Sequence, residues 1–345
     1  ATFEPAGRFT LEGEYTASLT ADVTDEAGNA LTTYDWTFTV REGAWTGAVA
    51  LEDDQTHDAR QPDVVFDSNG GLWAAWEQAN GTRTTIRTAR YTDSGNWQNG
   101  DTFEGGTGNA RNATLVSDGE GGVVLTWKNL GDVSIWGTHH PDGGDWSSGE
   151  FIGDDAATVE VTRVEPGKVV VVWIKGPGED VYANFFTAAD EWGSSEAIDM
   201  SQYDVGYELE VFSNDQGRVW AMWVYETDTA EFRWVSHTES GGWELKENLY
   251  GGGMGDCASI GDVKATGDKV IGALEAGDSS RCNFGAGRLE NGSLAARSDI
   301  VYGEDAYASI TDENVVLDGS GGALAVWQQD LSAQGDPDTI VRASH

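Results

Sequence analysis

The chain has 345 residues, and its 59 Asp and Glu against 20 Lys and Arg give a formal net charge of −39. This charge repels phosphate backbones and anionic headgroups, which excludes nucleic acid as a partner. No apolar run is long enough to cross a bilayer, so the sequence also predicts no membrane insertion. The 46 glycines and 15 tryptophans indicate a folded chain with a large core rather than a disordered one.

Residues 1–42 read as short β-strands separated by turns, without the repeat found further along the chain. They contain FEP at residues 3–5, the turn D-x-x-G-N-x-L at residues 25–31 and the closing W-x-F-T at residues 36–39. These motifs resemble the closing half of the bacterial Ig-like domain of S-layer and other surface proteins. The resemblance implies a secreted or cell-surface bacterial protein built from modules, and it implies no reaction.

Residues 43–345 contain a repeat of about fifty residues, each with an apolar segment that ends in tryptophan. We call this residue the repeat tryptophan. The repeat tryptophans and the leucine that replaces one of them are Trp76, Trp127, Trp173, Trp223, Leu274 and Trp327. This spacing is typical of one four-stranded blade per unit. The sequence therefore predicts an all-β fold, a six-bladed β-propeller over residues 43–345, which in general form resembles sialidase and lectin propellers.

The last repeat lacks its outermost strand. In four earlier units a second tryptophan follows the first at a nearly constant spacing, and in the last unit this position falls beyond the final residue. Residues 43–54 have the form of the missing strand, with Trp45 in the tryptophan position. We therefore expect residues 43–54 to complete the last blade and close the ring, which removes an exposed sheet edge.

Turns rich in Asp, Asn and Gly precede each apolar segment, as expected for tight hairpins. No cofactor is predicted, and Ca²⁺ is the alternative explanation of these acidic turns. The acidity as a whole has the same two explanations, a solvated surface adapted to salty water or bound Ca²⁺. One turn, at residues 213–220, follows the Asp-box outline of sialidases except for Val219, and a structural hairpin is the preferred interpretation.

The only cysteines are Cys257 and Cys282, in the repeat that lacks both tryptophans. Their even number and the absence of a CxxC motif favour a disulfide over a metal site. A disulfide would place the protein in an oxidising compartment and would stabilise the repeat that packs least well.

A propeller has a central channel around which its blades are arranged. Alignment of the repeats on the repeat tryptophan places Arg60 and Arg111 at equivalent positions beside the mouth of this channel. Two neighbouring guanidinium groups can bind a carboxylate or sulfate. The alternative is that both arginines hold acidic loops by ion pairs. Four tyrosines from loops predicted on the same face could stack on sugar rings or pack between loops: Tyr203, Tyr207, Tyr225 and Tyr307.

These features favour a non-catalytic binding or adhesion module, monomeric as an isolated domain, whose ligand is a carbohydrate such as an acidic polysaccharide or another extracellular ligand. The alternative is a carbohydrate-active enzyme, a glycoside hydrolase or polysaccharide lyase, with its site on the same face. A structural spacer is the third interpretation. Catalytic residues and metal ligands cannot be identified by spacing, because acidic residues are numerous and a propeller site combines several blades.

Overall fold

A computed structural model describes residues 14–19, 34–39, 48–52, 56–92, 95–176, 180–199, 205–225, 231–245, 257–266, 269–278, 281–290, 293–301, 309–317, 323–330 and 339–344. The chain divides into two compact units, Ala1–Ala50 and Leu51–His345. All regular elements in the described ranges are β-strands. Within these ranges no helix has the length and apolar character needed to span a membrane.

The first unit contains an antiparallel pair, β1 (Glu14–Leu19) and β2 (Tyr34–Thr39). The W-x-F-T motif lies in β2, as its alternating apolar residues predict. The intervening turn lies outside the described residues. The Ig-like assignment therefore stays a prediction.

The second unit contains six successive antiparallel sheets, named I to VI in chain order. Sheets I and II consist of β3 (Ala59–Phe66), β4 (Leu72–Ala79), β5 (Thr84–Tyr91) and β6 (Trp97–Phe103), then β7 (Ala110–Ser117), β8 (Val123–Asn129), β9 (Ser134–His140) and β10 (Glu150–Gly153). Sheet III consists of β11 (Ala156–Glu165), β12 (Lys168–Lys175), β13 (Val181–Thr187), β14 (Glu191–Trp192) and β15 (Glu196–Asp199).

Sheets IV to VI follow the same up-and-down order. They consist of β16 (Val205–Ser213), β17 (Val219–Tyr225), β18 (Glu231–Thr238) and β19 (Gly242–Leu245), then β20 (Cys257–Thr266), β21 (Lys269–Asp278), β22 (Arg281–Glu290) and β23 (Ser293–Val301), then β24 (Ser309–Leu317), β25 (Ala323–Asp330) and β26 (Thr339–Ser344).

The first strands of neighbouring sheets contact one another from sheet I through sheet VI, so they form the inner side of the assembly. This arrangement confirms the predicted all-β, propeller-like fold. Sheet VI shows three strands among the described residues, and residues 48–52 are not part of a strand. Residues 43–47 and 53–55 lie outside the described ranges, so the blade count and the closure by residues 43–54 stay predictions.

Three of the repeat tryptophans, Trp127, Trp173 and Trp223, lie in the core between sheets. Trp76, Trp127, Trp173 and Trp223 are all buried, and the last three are at most 1% exposed. The last three are surrounded by valine, leucine, isoleucine and alanine from two adjacent sheets, whereas Trp76 packs with Ala74 and Ala89 of its own sheet. Burial of a large aromatic side chain contributes several times the ~0.8 kcal/mol of a buried methylene, so the repeat pattern follows from packing.

In sheets I, II and IV an Asp or Asn side chain closes the turn between the first two strands. The Oδ1 atom of Asp67 accepts hydrogen bonds from the backbone N–H groups of Asn69 and Gly71, at 3.0 and 2.7 Å. Asp118 and Asn214 accept the equivalent bonds from the residues two and four positions further on. The turn backbone itself therefore needs an oxygen acceptor here, which accounts for the acidic character of these turns.

In sheets I and II the second carboxylate oxygen of the turn aspartate bonds to a side chain of the same sheet. Asp118 Oδ2 lies 2.9 Å from His139 Nε2, and Asp67 Oδ2 accepts a bond from Trp73 Nε1 at 3.2 Å. The pKa of Asp118 is lowered, because the hydrogen bonds from His139 and from the turn backbone together outweigh the effect of burial. The turn is thereby tied to its own sheet.

The two cysteines lie on strands that flank a shared neighbour. Cys257 in β20 and Cys282 in β22 both pair with Gly277 of the central strand β21. Two strand spacings separate their Cα atoms by about 10 Å, whereas a disulfide spans at most about 7 Å. This register does not support the predicted disulfide, which stays a prediction.

The Asp118 side chain, which accepts the hydrogen bonds of its turn, should contribute to the stability of the fold. We expect Asp118→Ala to lower the free energy of unfolding by about 2–3 kcal/mol, because two buried backbone N–H groups lose their partner. Asp118→Asn should lose less than half as much, since Asn214 fills the same role in sheet IV. Urea unfolding of the three proteins measures both values. Equal losses in the two variants would contradict the role of the turn acceptor.

Candidate functional site

Two cavities border sheet I. One lies on the face that carries Val64 and Trp76, and the other lies at its first strand. The outer-face cavity, about 550 Å³, is lined by apolar side chains including Val64, Trp76 and Trp97, with Arg60 among the polar ones. Val64 is 61% exposed, although it belongs to an otherwise apolar face. In a closed ring this face would pack against the last sheet. The outer-face cavity is therefore the weaker candidate for a ligand site.

The inner cavity, about 420 Å³, lies where the first strands of sheets I, II and III meet. Its walls are residues 61–63 of sheet I, 112–114 and 126–128 of sheet II, and 157–160 of sheet III. A cavity of this size, lined by several strands, is typical of small-molecule sites. The inner cavity is therefore the candidate functional site.

Bulges in the first strands shape the inner cavity. The register of β3 shifts between Arg60 and Asp63, and that of β7 shifts between Arg111 and Thr114. Within these bulges Gln61 and Asn112 have φ values of 47° and 53°, in the left-handed region that side chains other than glycine rarely adopt. Bulges of this kind redirect side chains and are over-represented beside active sites.

In sheets I and II the residue after the repeat tryptophan joins the sheet to the next one. Buried Glu77 of sheet I forms an ion pair with Arg111 and accepts a hydrogen bond from the backbone N–H of Asn112 at 2.8 Å, both in sheet II. One sheet further, the Nζ atom of Lys128 donates to the backbone carbonyl of Ala157. Arg111 and Ala157 occupy the same repeat position, so the two contacts are equivalent ties.

The arginines predicted as a ligand clamp therefore have different surroundings. Arg111 is tied to buried Glu77, whereas the Arg60 side chain is 58% exposed and pairs with Asp58. Neither of them lines the inner cavity. Ligand binding by the arginines stays a prediction, and their ion pairs match the alternative that they hold acidic residues.

The predicted tyrosines lie mainly outside the described part of the structure. Tyr203 and Tyr307 fall outside the described ranges. Tyr207 lies in β16 and Tyr225 ends β17, where Val205 is its partner in the register, and their side chains are not described. Their role in ligand binding stays a prediction.

Three charged side chains line the inner cavity. Asp63 accepts bonds from the backbone N–H groups of Val64 at 2.8 Å and Leu115 at 2.7 Å. Burial raises the pKa of Glu160 to about 7, and burial lowers the pKa of Lys128. The cavity thus combines the Asp63 and Lys128 side chains with a carboxyl group that can gain or lose a proton near pH 7.

Sequence reasoning missed these residues although the repeat contains a signal for them. When the repeats are aligned on the repeat tryptophan, Asp63, Thr114 and Glu160 occupy one equivalent position, and all three line the inner cavity. The next sheet has Glu210 at this position. The sequence prediction instead used the repeat position of Arg60 and Arg111, which the structure assigns to the ties between neighbouring sheets.

The described residues do not form a metal site. Within the described ranges, no three His, Cys, Asp or Glu side chains are grouped as ligands for an ion. The inner cavity instead combines acceptors, donors and one carboxyl group that can gain or lose a proton near pH 7. Such a set can bind a polyhydroxylated ligand and exchange protons with it.

Comparison with known proteins gives a relation of fold only. No protein-family model matches the chain, and no curated protein matches it. A polysaccharide lyase of family PL25, an ulvan lyase, superposes with a TM-score of 0.51 at 12% identity over 82% of this chain and 77% of that chain. The same lyase bound to -[GlcA(1-4)Rha3S]- gives a TM-score of 0.50 at the same identity and coverage. A prolyl endopeptidase structure gives 0.53 at 11% identity, over 92% of this chain and 44% of that one.

The tie between sheets I and II can be tested against the exposed arginine. We expect Arg111→Ala to lower the free energy of unfolding by about 3 kcal/mol, because Glu77, 1% exposed, would lose its partner cation. Arg60→Ala should change it by less than about 1 kcal/mol, since an exposed ion pair contributes little. Chemical denaturation of both variants checks the difference. Equal effects would show that the guanidinium of Arg111 is not a structural tie.

The raised pKa of Glu160 predicts a pH-dependent effect of Glu160→Gln. The ordinary pKa is near 4.5 and the folded value is about 7, so the native chain binds more protons between these values. Its stability is therefore lost as pH rises through 7. Relative to the parent, Glu160→Gln should gain up to about 3 kcal/mol in unfolding free energy between pH 4.5 and pH 8.5. A difference that does not change with pH would contradict the burial of this carboxyl group.

Proposed function

We propose that the protein binds carbohydrate, with a saccharide seated in the inner cavity between sheets I, II and III. The observation that supports this most is the composition of the cavity wall. It presents a carboxylate at Asp63, an amide at Asn112, a hydroxyl at Thr114 and an ammonium at Lys128 within one space of about 420 Å³. Sugar hydroxyl groups both donate and accept, so they match a wall of mixed donors and acceptors.

The fold relation supports the ligand class only in part. The ulvan lyase, a protein of similar fold, is known as a complex with a saccharide. The prolyl endopeptidase has a comparable similarity and acts on a different class of substrate. Because one fold can host several chemistries, the proposal depends on the cavity rather than on the fold.

A neutral saccharide fits this site better than an acidic polysaccharide. Asp63 and Glu160 both carry or can carry negative charge, and Lys128 is the one cation among the described residues of the cavity wall. The two arginines that could have received an anionic sugar are engaged by Asp58 and Glu77. An anionic ligand would also meet the field of a chain with a net charge of −39.

We further propose that the protein is a monomeric, secreted or surface-displayed adhesion module. The resemblance of residues 1–42 to an Ig-like domain of surface proteins supports this setting. A strongly acidic, solvated surface also keeps a monomer soluble. Light scattering on the purified protein tests the monomeric state.

Removal of the Thr114 hydroxyl group tests the proposed binding site. On an array of neutral, uronate-containing and sulfated oligosaccharides, we expect binding of neutral members. Thr114→Val should weaken that binding about fivefold to tenfold, because it removes a hydrogen bond at constant volume. Thr102→Val is the matched control, since Thr102 lies on the outer strand β6 and bonds to Arg87. Isothermal titration calorimetry measures the affinities, and thermal melts check the folding of each variant.

Three outcomes would contradict the proposal. No binding to any saccharide would favour a structural spacer. Binding that Arg60→Ala abolishes while Thr114→Val leaves it unchanged would move the site to the outer face of sheet I. Preference for uronates or sulfated sugars would contradict the neutral ligand.

A further inference from the structure

Two carboxyl groups face the inner cavity from opposite walls. Asp63 lies on β3 of sheet I and Glu160 on β11 of sheet III, at the same position of their repeats. Thr114 occupies that position on β7 of sheet II, between them along the chain of contacting first strands. The strands therefore aim an acid, a hydroxyl and an acid at one enclosed space.

The two carboxyl groups have different surroundings. Both oxygens of Asp63 accept a backbone hydrogen bond, and such bonds stabilise an ionised carboxylate. Among the described residues no side chain or backbone group forms a hydrogen bond or ion pair with the Glu160 carboxyl, which is half-buried and has its pKa raised to about 7. Hence Glu160 can hold a proton near pH 7, and Asp63 lines the same cavity from sheet I.

We infer that Asp63 and Glu160 form the base and acid of a glycoside hydrolase site in the inner cavity. This inference rests on the proposed binding of a saccharide there. The reaction is hydrolysis of a glycosidic bond, with Asp63 as the base and Glu160 as the acid. The substrate class is a neutral oligosaccharide with its glycosidic oxygen turned toward sheet III.

The reaction is a single displacement by water. Glu160 donates its proton to the glycosidic oxygen, and the bond from that oxygen to the anomeric carbon breaks with its electron pair going to the oxygen. A water molecule forms a new bond to the anomeric carbon while Asp63 accepts one of its protons. The products are a free sugar alcohol group and a hemiacetal of inverted configuration, and exchange with solvent returns the proton from Asp63 to Glu160.

A single displacement is assigned because the two groups belong to sheets that are not neighbours, with the first strand of sheet II between them. In inverting hydrolases the two carboxyl groups lie farther apart than in retaining ones, because a water molecule must fit between the base and the sugar. Lys128 adds a cation to the same wall, where it can bind a sugar hydroxyl as a positioning residue.

The test uses p-nitrophenyl glycosides of neutral sugars, as both anomers, and the matching unactivated oligosaccharides. Asp63→Asn should lower kcat/KM at least about 100-fold on both kinds of substrate, since the water loses its base. Glu160→Gln should lower it at least about 100-fold on the oligosaccharides but far less on the p-nitrophenyl glycosides, whose leaving group needs no proton. The parent kcat/KM should fall as pH rises above about 7, where Glu160 loses its proton.

Glu165→Gln is the control, because Glu165 lies on the same strand with its side chain 43% exposed and paired with Lys168, away from the cavity. Its kcat/KM should equal that of the parent. Thermal melts separate loss of activity from loss of folding. Should Asp63→Asn fail to fold, the leaving-group dependence of Glu160→Gln and the anomeric configuration of the product by NMR still test the inference.

These measurements distinguish a failure of saccharide binding from a failure of hydrolysis. Calorimetric binding of an oligosaccharide without release of p-nitrophenolate or new reducing ends would overturn the hydrolase inference and leave the proposed carbohydrate binding intact. Absence of both binding and turnover across the panel would overturn both. A product of retained configuration, or equal loss with Glu160→Gln on both kinds of substrate, would overturn the assigned roles.

Discussion

The need of each sheet to bury both of its faces against neighbours determines most of this structure. A four-stranded sheet with valine and tryptophan on both faces is not stable in water, so it must be covered on each side. The repeat tryptophans supply the apolar part of that contact, with Trp173 and Trp223 almost fully buried between sheets. Between sheets I, II and III the polar part comes from Glu77 and Lys128, which follow Trp76 and Trp127.

The same constraint creates the inner cavity. First strands that approach a common axis cannot all pack closely, and their bulges at Gln61 and Asn112 leave space between three sheets. Trp127 borders this space and packs between sheets I and II, whereas Asp63, Thr114 and Glu160 present polar groups to it. Asp63 also joins the two sheets, since its carboxylate accepts a hydrogen bond from the backbone N–H of Leu115.

The fold could be predicted from sequence because its signal repeats. The turn residues, the apolar second strand and the tryptophan recur at a nearly regular interval, and the sheets occur where this pattern places them. The register between strands is harder to predict, because the sequence does not show that Cys257 and Cys282 lie on strands separated by a third. Their common partner, Gly277, appears only in the register.

The site was harder to predict for a different reason. The sequence favours Arg60 and Arg111 as ligand contacts because cations are rare in this chain. For the same reason a buried acid has few cations to pair with, and Arg111 forms such an ion pair with Glu77. The acids that line the cavity could not be distinguished by type within a total of 59 Asp and Glu. Their shared repeat position is a signal, but the cavity itself appears only where the first strands of three sheets meet, with a bulge beside Asp63.

The central claim is that a saccharide binds where the first strands of sheets I, II and III meet. Hydrogen–deuterium exchange with and without a bound neutral oligosaccharide tests it directly, since backbone amides beside a ligand exchange more slowly. We expect new protection within residues 59–66, 110–117 and 156–165 together. Protection confined to the outer strands of the sheets, or to only one of these three segments, would contradict a site shared by three sheets.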